Sequence, residues 1–226
     1  MKNIAIKILT VLIISGFAIT KSIAADYNFG ISGSYMLINA DGSEVETGSQ
    51  TAETHKKSVS NDVLIGSVFA EVAFGKFAIG VDYIPFDADV SDKTHQRIDT
   101  ETSVTSTETT TSTSRTQKAA AEVSDHTTIY VNYYLNDSFY LHLGHASVDL
   151  TTQESLDTGS KYGNATVDGI QYGAGVQMND NFRLEAAYTD YDDISISSSV
   201  ARTGVTTNNK IEADLDTLQF KLSYHF

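Results

Sequence analysis

The chain has 226 residues, 41% of them hydrophobic, and its 15 Lys and Arg stand against 29 Asp and Glu for a formal net charge of −14. That acidity excludes a nucleic-acid partner, because phosphate binding needs clustered cations. The absence of cysteine excludes a disulfide-stapled scaffold.

Residues 1–24 read as a cleaved export signal. Lys2 and Lys7 supply the positive start, residues 8–19 an apolar run, and Ser22-Ile23-Ala24 the small residues at −3 and −1. A run of that length makes about 18 Å of helix, short of the roughly 30 Å hydrocarbon core. Cleavage after Ala24 leaves one domain, 25–226, with 12 basic and 29 acidic residues. Within it no apolar run reaches the roughly 18 residues of a membrane helix. Any membrane passage falls to strands.

Strands are what the periodicity predicts. Tyr27, Phe29, Ile31, Tyr35 and Leu37 alternate with Asn28, Gly30, Ser32 and Ser34. Leu64, Val68, Ala70, Val72 and Phe74 line one face of a second segment, and Phe77, Ile79, Val81 and Tyr83 one face of a third. The only proline, Pro85, falls where that third strand must leave its ladder. Ile129, Val131, Tyr133 and Leu135 mark the fourth segment, and Phe139, Leu141 and Leu143 begin the fifth. In the sixth, Ile170, Tyr172, Ala174, Val176 and Met178 alternate with Gly169, Gln171, Gly173, Gly175 and Gln177. Phe182, Leu184, Ala186 and Tyr188 alternate with Arg183 and Glu185 in the seventh. Leu218, Phe220, Leu222, Tyr224 and Phe226 alternate with Gln219, Lys221, Ser223 and His225 in the last. Period two puts the apolar set on one face, and about ten residues is the length of a strand that crosses hydrocarbon at roughly 45°.

Connections alternate between short turns, at Gly75-Lys76, Asn136-Asp137-Ser138 and Asn179-Asp180-Asn181, and long loops near 38–60, 85–125, 149–168 and 191–213. Soluble sandwiches mix loop lengths at both ends, whereas outer-membrane barrels put short turns on the periplasmic side and long loops outside. The fold class expected is therefore all-β, an eight-stranded antiparallel up-and-down transmembrane barrel with its termini in the periplasm. Phe74, Phe77, Phe139, Phe182 and Phe226 cluster at the short-turn end as an interfacial girdle. Arg183 or Lys221 facing mid-bilayer lipid would cost roughly 2–4 kcal/mol each. The register expected instead puts Glu71, Asp82, Arg183, Glu185 and Lys221 together in the lumen. The fifth segment breaks this pattern, because continuing Leu141-Leu143 outward puts His145 and Ser147 toward lipid. A bulge near Gly144 is expected to reverse the phase and turn that pair inward.

With the signal, the eight segments and the ending Leu222-x-Tyr224-x-Phe226, the sequence resembles the small bacterial outer-membrane β-barrel superfamily, which includes the OmpA transmembrane domain and the OmpX and opacity proteins. The resemblance implies that Leu222, Tyr224 and Phe226 are the signal read by the barrel-assembly machinery, and that the partners are outer-membrane lipid and lipopolysaccharide. No peptidoglycan-binding domain follows residue 226, so a cell-wall anchoring role is not carried over.

Function is less legible. Between residues 100 and 116, 13 of 17 are Ser or Thr, which suits a shielding or adhesive loop. The acids Asp87-Asp89-Asp92 and Asp190-Asp192-Asp193 lack calcium-loop spacing and read as solvated charge. The five luminal charges read as a structural ion-pair plug or as the lining of a narrow pore, with inward glycines at 169, 173 and 175 leaving some space. His145-x-Ser147 resembles the His-x-Ser pair of a lipid A deacylase, but the nearby acid that could orient the His, Glu154, falls in an expected loop, and the bulge turns the pair inward. The expectation is a monomeric structural or surface-interaction protein, not an enzyme and without cofactor or metal. A small-solute channel is the alternative.

Overall fold

The computed structural model describes residues 25–47, 52–91, 94–104, 110–156, 161–198 and 209–226. The expected signal, 1–24, lies outside these residues, as do Asp92 and part of the Ser/Thr run. Eleven strand segments follow one another: β1 (Asp26–Thr47), β2 (Ala52–Phe74), β3 (Phe77–Ile84), β4 (Ala88–Asp89), β5 (His95–Val104), β6 (Thr110–Tyr134), β7 (Phe139–Leu156), β8 (Ala165–Gln177), β9 (Phe182–Tyr191), β10 (Ile194–Ser197) and β11 (Lys210–His225). Eight of them pair antiparallel in the order β1-β2-β3-β6-β7-β8-β9-β11. The ladder from Gly30↔His225 to Val45↔Lys210 then joins β11 back to β1. The sheet is a closed barrel, and β4, β5 and β10 are additions beyond its eight-strand ring.

Short turns hold the end where β1 begins. Gly75 takes φ 59°, a left-handed conformation that a side chain disfavours. In the two Asn-led turns the side chain replaces a missing backbone acceptor. Asn136 Oδ1 accepts from the amides of Ser138 and Phe139, both at 2.9 Å. Asn179 Oδ1 accepts from Asn181 and Phe182, both at 3.0 Å.

The barrel has two storeys. In the lower one the polarity is inside out: Phe29, Ile31, Leu143, Ile170, Phe220 and Leu222 are exposed on the outer wall, while Glu71, Asp82, Asn132, Arg183 and Lys221 are buried within. The outer apolar band gives way to polar residues at matching heights, Leu37 to Asn39, Leu64 to Asp62, Ile170 to Asp168 and Leu218 to Asp216. Transmembrane barrels carry an outward apolar belt of this kind, roughly 25 Å tall. The chain thus spans a membrane with its eight strands. Above the belt the strands continue with the polarity reversed. Met36, Ile38, Ile84, Val148, Leu150, Tyr191 and Leu215 form an enclosed apolar core, and Asp41, Ser58 and Ser60 face outward.

That second storey replaces much of what the sequence suggested were loops. Residues 38–47, 52–60, 149–156 and 210–213 are strand, and the span 85–125 holds β4, β5 and the first half of β6. The alternation persists there, and only its sign changes, because the solvent outside changes from lipid to water.

The bulge expected near Gly144 is not there. The β7–β8 ladder runs unbroken from Phe139↔Val176 to Leu150↔Ala165, so His142, Gly144, Ala146, Val148 and Leu150 all point in, and His145 points out. The change from Leu143 to His145 marks where the wall leaves the hydrocarbon; the phase is not reversed. The irregularity lies on the neighbouring strand, between Ser124 and Thr127 of β6. There Asp125 adopts φ 51°, a conformation Asp tolerates better than most residues, and its Oδ1 accepts from the Tyr83 hydroxyl at 2.8 Å. The extra residue lets Thr128 and Tyr130 face the polar storey while Val123 packs against the apolar one.

Inward glycines are occupied space. A Cβ on Gly175 would lie 2.1 Å from the Tyr140 ring, and one on Gly80 would lie 2.4 Å from the Tyr130 ring. Valine at either position should therefore displace a buried tyrosine and lower stability by about 1–3 kcal/mol. Urea unfolding of the refolded barrel in detergent micelles measures this; unchanged midpoints would show that the rings do not need the glycines.

Candidate functional site

The lumen of the lower storey brings together all five charged residues singled out from the sequence. Each sits on an inward position of a different strand or register step: Glu71 on β2, Asp82 on β3, Arg183 and Glu185 on β9, Lys221 on β11. Arg183 forks onto Glu71, donating from Nη1 to Oε2 at 3.0 Å and from Nη2 to Oε1 at 3.1 Å. The same carboxylate accepts from the Tyr130 hydroxyl at 3.1 Å and from Asn132 Nδ2 at 3.2 Å. Lys221 Nζ lies 2.9 Å from Glu185 Oε1 and 3.5 Å from Asp82 Oδ2, a bridge between two acids. Tyr140 donates to Glu185 Oε2 at 2.9 Å, and Ser67 donates to Asp82 Oδ2 at 3.0 Å.

Around this centre further polar side chains bond to one another. His142 stands 2.9 Å from both Asn132 Oδ1 and Gln171 Oε1, with Glu185 at 3.3 Å. Gln171 passes the chain on to Thr189 at 2.9 Å. Buried charges survive only when paired and bonded in this way. A gap of about 10 Å³ lies among them, bounded by Phe69, Asp82, Tyr130, Arg183 and Lys221, roughly the volume of a single water. The space expected beside Gly169 and Gly175 is taken by Tyr191 and Tyr140. Axially, the lumen is lined by charged side chains below and by apolar side chains above.

Sequence reasoning missed the upper half of this arrangement. Met36, Ile38, Ile65, Ile84 and Leu215 belong to no apolar outer face, and the expected bulge turns Val148 outward, whereas it is buried. The signal was available as inverted alternation, apolar at Met36, Ile38 and Ala40 against polar at Asn39 and Asp41.

The remaining sequence candidates lie on the outer wall. Leu222 and Tyr224 face outward on β11, and Tyr224 packs edge-on against Phe182 and Phe226 with centroids 5.1 and 5.2 Å away. The Phe226 amide donates to Phe29 O at 2.9 Å. His145 and Ser147 share the outer face at the upper border of the belt. An acid does stand beside the His: Asp168 Oδ1 is 3.7 Å from His145 Nε2. Ser147 makes no hydrogen bond to His145 among the described residues. Asp190 opposes Asp216 directly, as Asp41 opposes Asp214, so this outer ring is strongly acidic.

The sequence matches no family model, and no curated protein is significantly similar to it. Similar solved structures include Ail, the attachment invasion locus protein of Yersinia pestis, at 11% identity over 86% of this chain and 99% of that one, with a TM-score of 0.36. Neisserial surface protein A matches at 12% identity over 90% and 99%, with a TM-score of 0.39. The toluene transporter TodX of Pseudomonas putida matches at 7% identity over 89% and 90%, with a TM-score of 0.26. At these values the architecture rests on this chain's own strand pairing.

Removing one member of the luminal fork tests its energetics. Glu71→Leu leaves the Arg183 guanidinium buried without its carboxylate and should cost roughly 3–5 kcal/mol in urea unfolding. The double variant Glu71→Leu, Arg183→Leu should recover most of that loss. If it is as unstable as the single variant, the pair is not a coupled unit.

Proposed function

We propose that the chain is an outer-membrane barrel with a structural or surface-interaction role, carried by strands that rise beyond the membrane. The observation that carries this reading is the two-layered packing of the lumen. An ion-pair layer with a gap of only about 10 Å³ lies beneath an apolar core of thirteen buried residues. Ion conduction needs a hydrated path, and the smallness of the gaps in the two layers supports a closed lumen. Above the belt, β5 and the start of β6 pair from His95↔Ala119 to Val104↔Thr110, a Ser/Thr-rich hairpin suited to shielding or adhesion.

The acidic outer ring, the aromatic girdle and the Leu222-x-Tyr224-x-Phe226 ending support residence among outer-membrane lipid and lipopolysaccharide. They also support assembly by the barrel-assembly machinery. The ring is closed by the β1–β11 ladder and through most of the belt, leaving little strand edge that demands a partner, which favours a monomer. Catalysis is not part of this reading: with Ser147 unengaged by His145, the outer-wall His–Asp pair lacks a poised nucleophile.

Purified, refolded protein in a planar bilayer should be silent. Stable ion-conducting steps that shift on Asp82→Asn or Arg183→Gln would replace the plug with a channel. Cells expressing a chain without residues 97–116 should keep the barrel in the membrane and lose surface binding. Ser147→Ala should leave the mass of lipid A unchanged; a mass difference between wild type and variant would restore the enzyme reading.

A further inference from the structure

The barrel wall is closed through most of the belt but opens at the belt's upper edge, between β2 and the chain after β3. β2 pairs with β3 only from Val68↔Tyr83 downward, because β3 stops at Ile84 and Pro85 has no amide hydrogen to continue a ladder. Above that point residues 52–67 of β2 pair with β1 alone. The returning chain, β4 and β5, pairs with β6 alone. Among the described residues one hydrogen bond crosses the seam, from Asn61 Nδ2 to Asp89 O at 2.8 Å.

The seam holds an open groove of about 480 Å³ between Asn61–Gly66 and Phe86–Asp89. It begins at the level of the belt: Leu64, opposite Tyr35 in the β1–β2 ladder, is 85% exposed, and Phe86 is 59% exposed. Behind it lies a smaller apolar chamber of about 30 Å³ in the upper lumen. Ile65, Phe86 and Ala88 line both spaces, and the Phe86 ring reaches to 3.6 Å from where a Gly66 side chain would begin. Phe86 is thus the partition between groove and chamber.

One group in the chamber lacks a partner. His126 lines it, and its Nε2 meets the Tyr191 hydroxyl at 2.8 Å. Its Nδ1 is buried with no hydrogen-bond partner among the described residues. A buried polar atom left unpaired in an apolar core is costly. At the mouth, the charged groups among the described residues that line the groove are Asp87 and Asp89, with no cation.

We propose that this seam is a lateral binding site for a neutral amphiphile with a single hydroxyl end, a long-chain alcohol in chemical class. The apolar chain lies along Leu64 and Phe86, reached from the outer edge of the lipid. The hydroxyl passes Phe86 and bonds His126 Nδ1, which either tautomer of the ring allows because a hydroxyl both donates and accepts. Chamber size limits the inserted end to one or two heavy atoms, and Asp87 and Asp89 repel an anionic head.

The proposal rests on reading the chain as membrane-spanning, and imidazole nitrogen NMR separates the two. Protein with ¹⁵N-labelled histidine, refolded in neutral detergent micelles, is titrated with dodecanol, dodecane or dodecanoate. His126 reports the chamber, and His145 on the outer wall reports partition of each probe into the micelle. Dodecanol should shift His126 Nδ1 saturably, at a concentration about tenfold lower than dodecanoate, the difference expected from one hydrogen bond and charge repulsion. Dodecane should leave that nitrogen unmoved. Val123→Phe, which fills the chamber, should remove the response while His145 still reports partition. Equal His126 shifts with all three probes, or a His126 nitrogen that responds to none, would overturn the site. Folding without any detergent would instead overturn the membrane reading, whatever His126 does.

Discussion

An amide without a hydrogen-bond partner costs several kcal/mol in hydrocarbon, where no water can replace it. A sheet that crosses a membrane must therefore close. Here closure is the antiparallel ladder between β1 and β11, and the other large features depend on it. Closing the ring with eight strands makes an interior about one side chain deep from each wall. Charged residues excluded from the lipid face must then meet one another across it. At the upper border of the hydrocarbon water begins to serve unpaired backbone, and from that level upward the wall opens between β2 and the chain after Pro85.

The two storeys follow from one alternating pattern in two solvents. Below, lipid rewards apolar side chains on the outer wall, so the lumen inherits the polar ones. Above, water rewards the opposite choice, and the same strands bury Ile38, Ile84 and Leu215 instead. On β7 the switch needs no change of phase, because Ala146, Val148 and Leu150 continue the inward set of His142 and Gly144. On β6 it does, and the left-handed Asp125 supplies the extra residue. Without it Ser124 and Glu122 would take the inward positions that Val123 and its neighbours fill.

The polar storey holds its charges by geometry that only a small barrel imposes. Arg183 presents two parallel donors to one carboxylate, and Lys221 reaches two acids at once. Tyrosines 130 and 140 fill the space over glycines 80 and 175 and give their hydroxyls to the same acids. Such a network contributes mainly to a single well-defined arrangement, since a buried pair gains little over apolar packing but cannot be half removed.

Much of this is legible in the amino-acid sequence. Alternation at Phe29-Ile31, Ile79-Val81 and Leu218-Phe220 names the strands. The cost of a cation in lipid decides which face of β9 and β11 looks inward, and Asn136, Asn179 and Gly75 name the turns by their own chemistry. These are local properties, or consequences of a single solvent boundary, and sequence by itself determines them. Tertiary structure alone decided which inward residues meet. The partners Glu71 and Arg183 are 112 positions apart, and their distance depends on the shear of the closed ring. It also decided that the wall rises past the membrane, that the bulge belongs to β6 rather than β7, and that a seam flanks Phe86. Each depends on where one strand stands relative to its neighbour, which no segment encodes until the ring has closed.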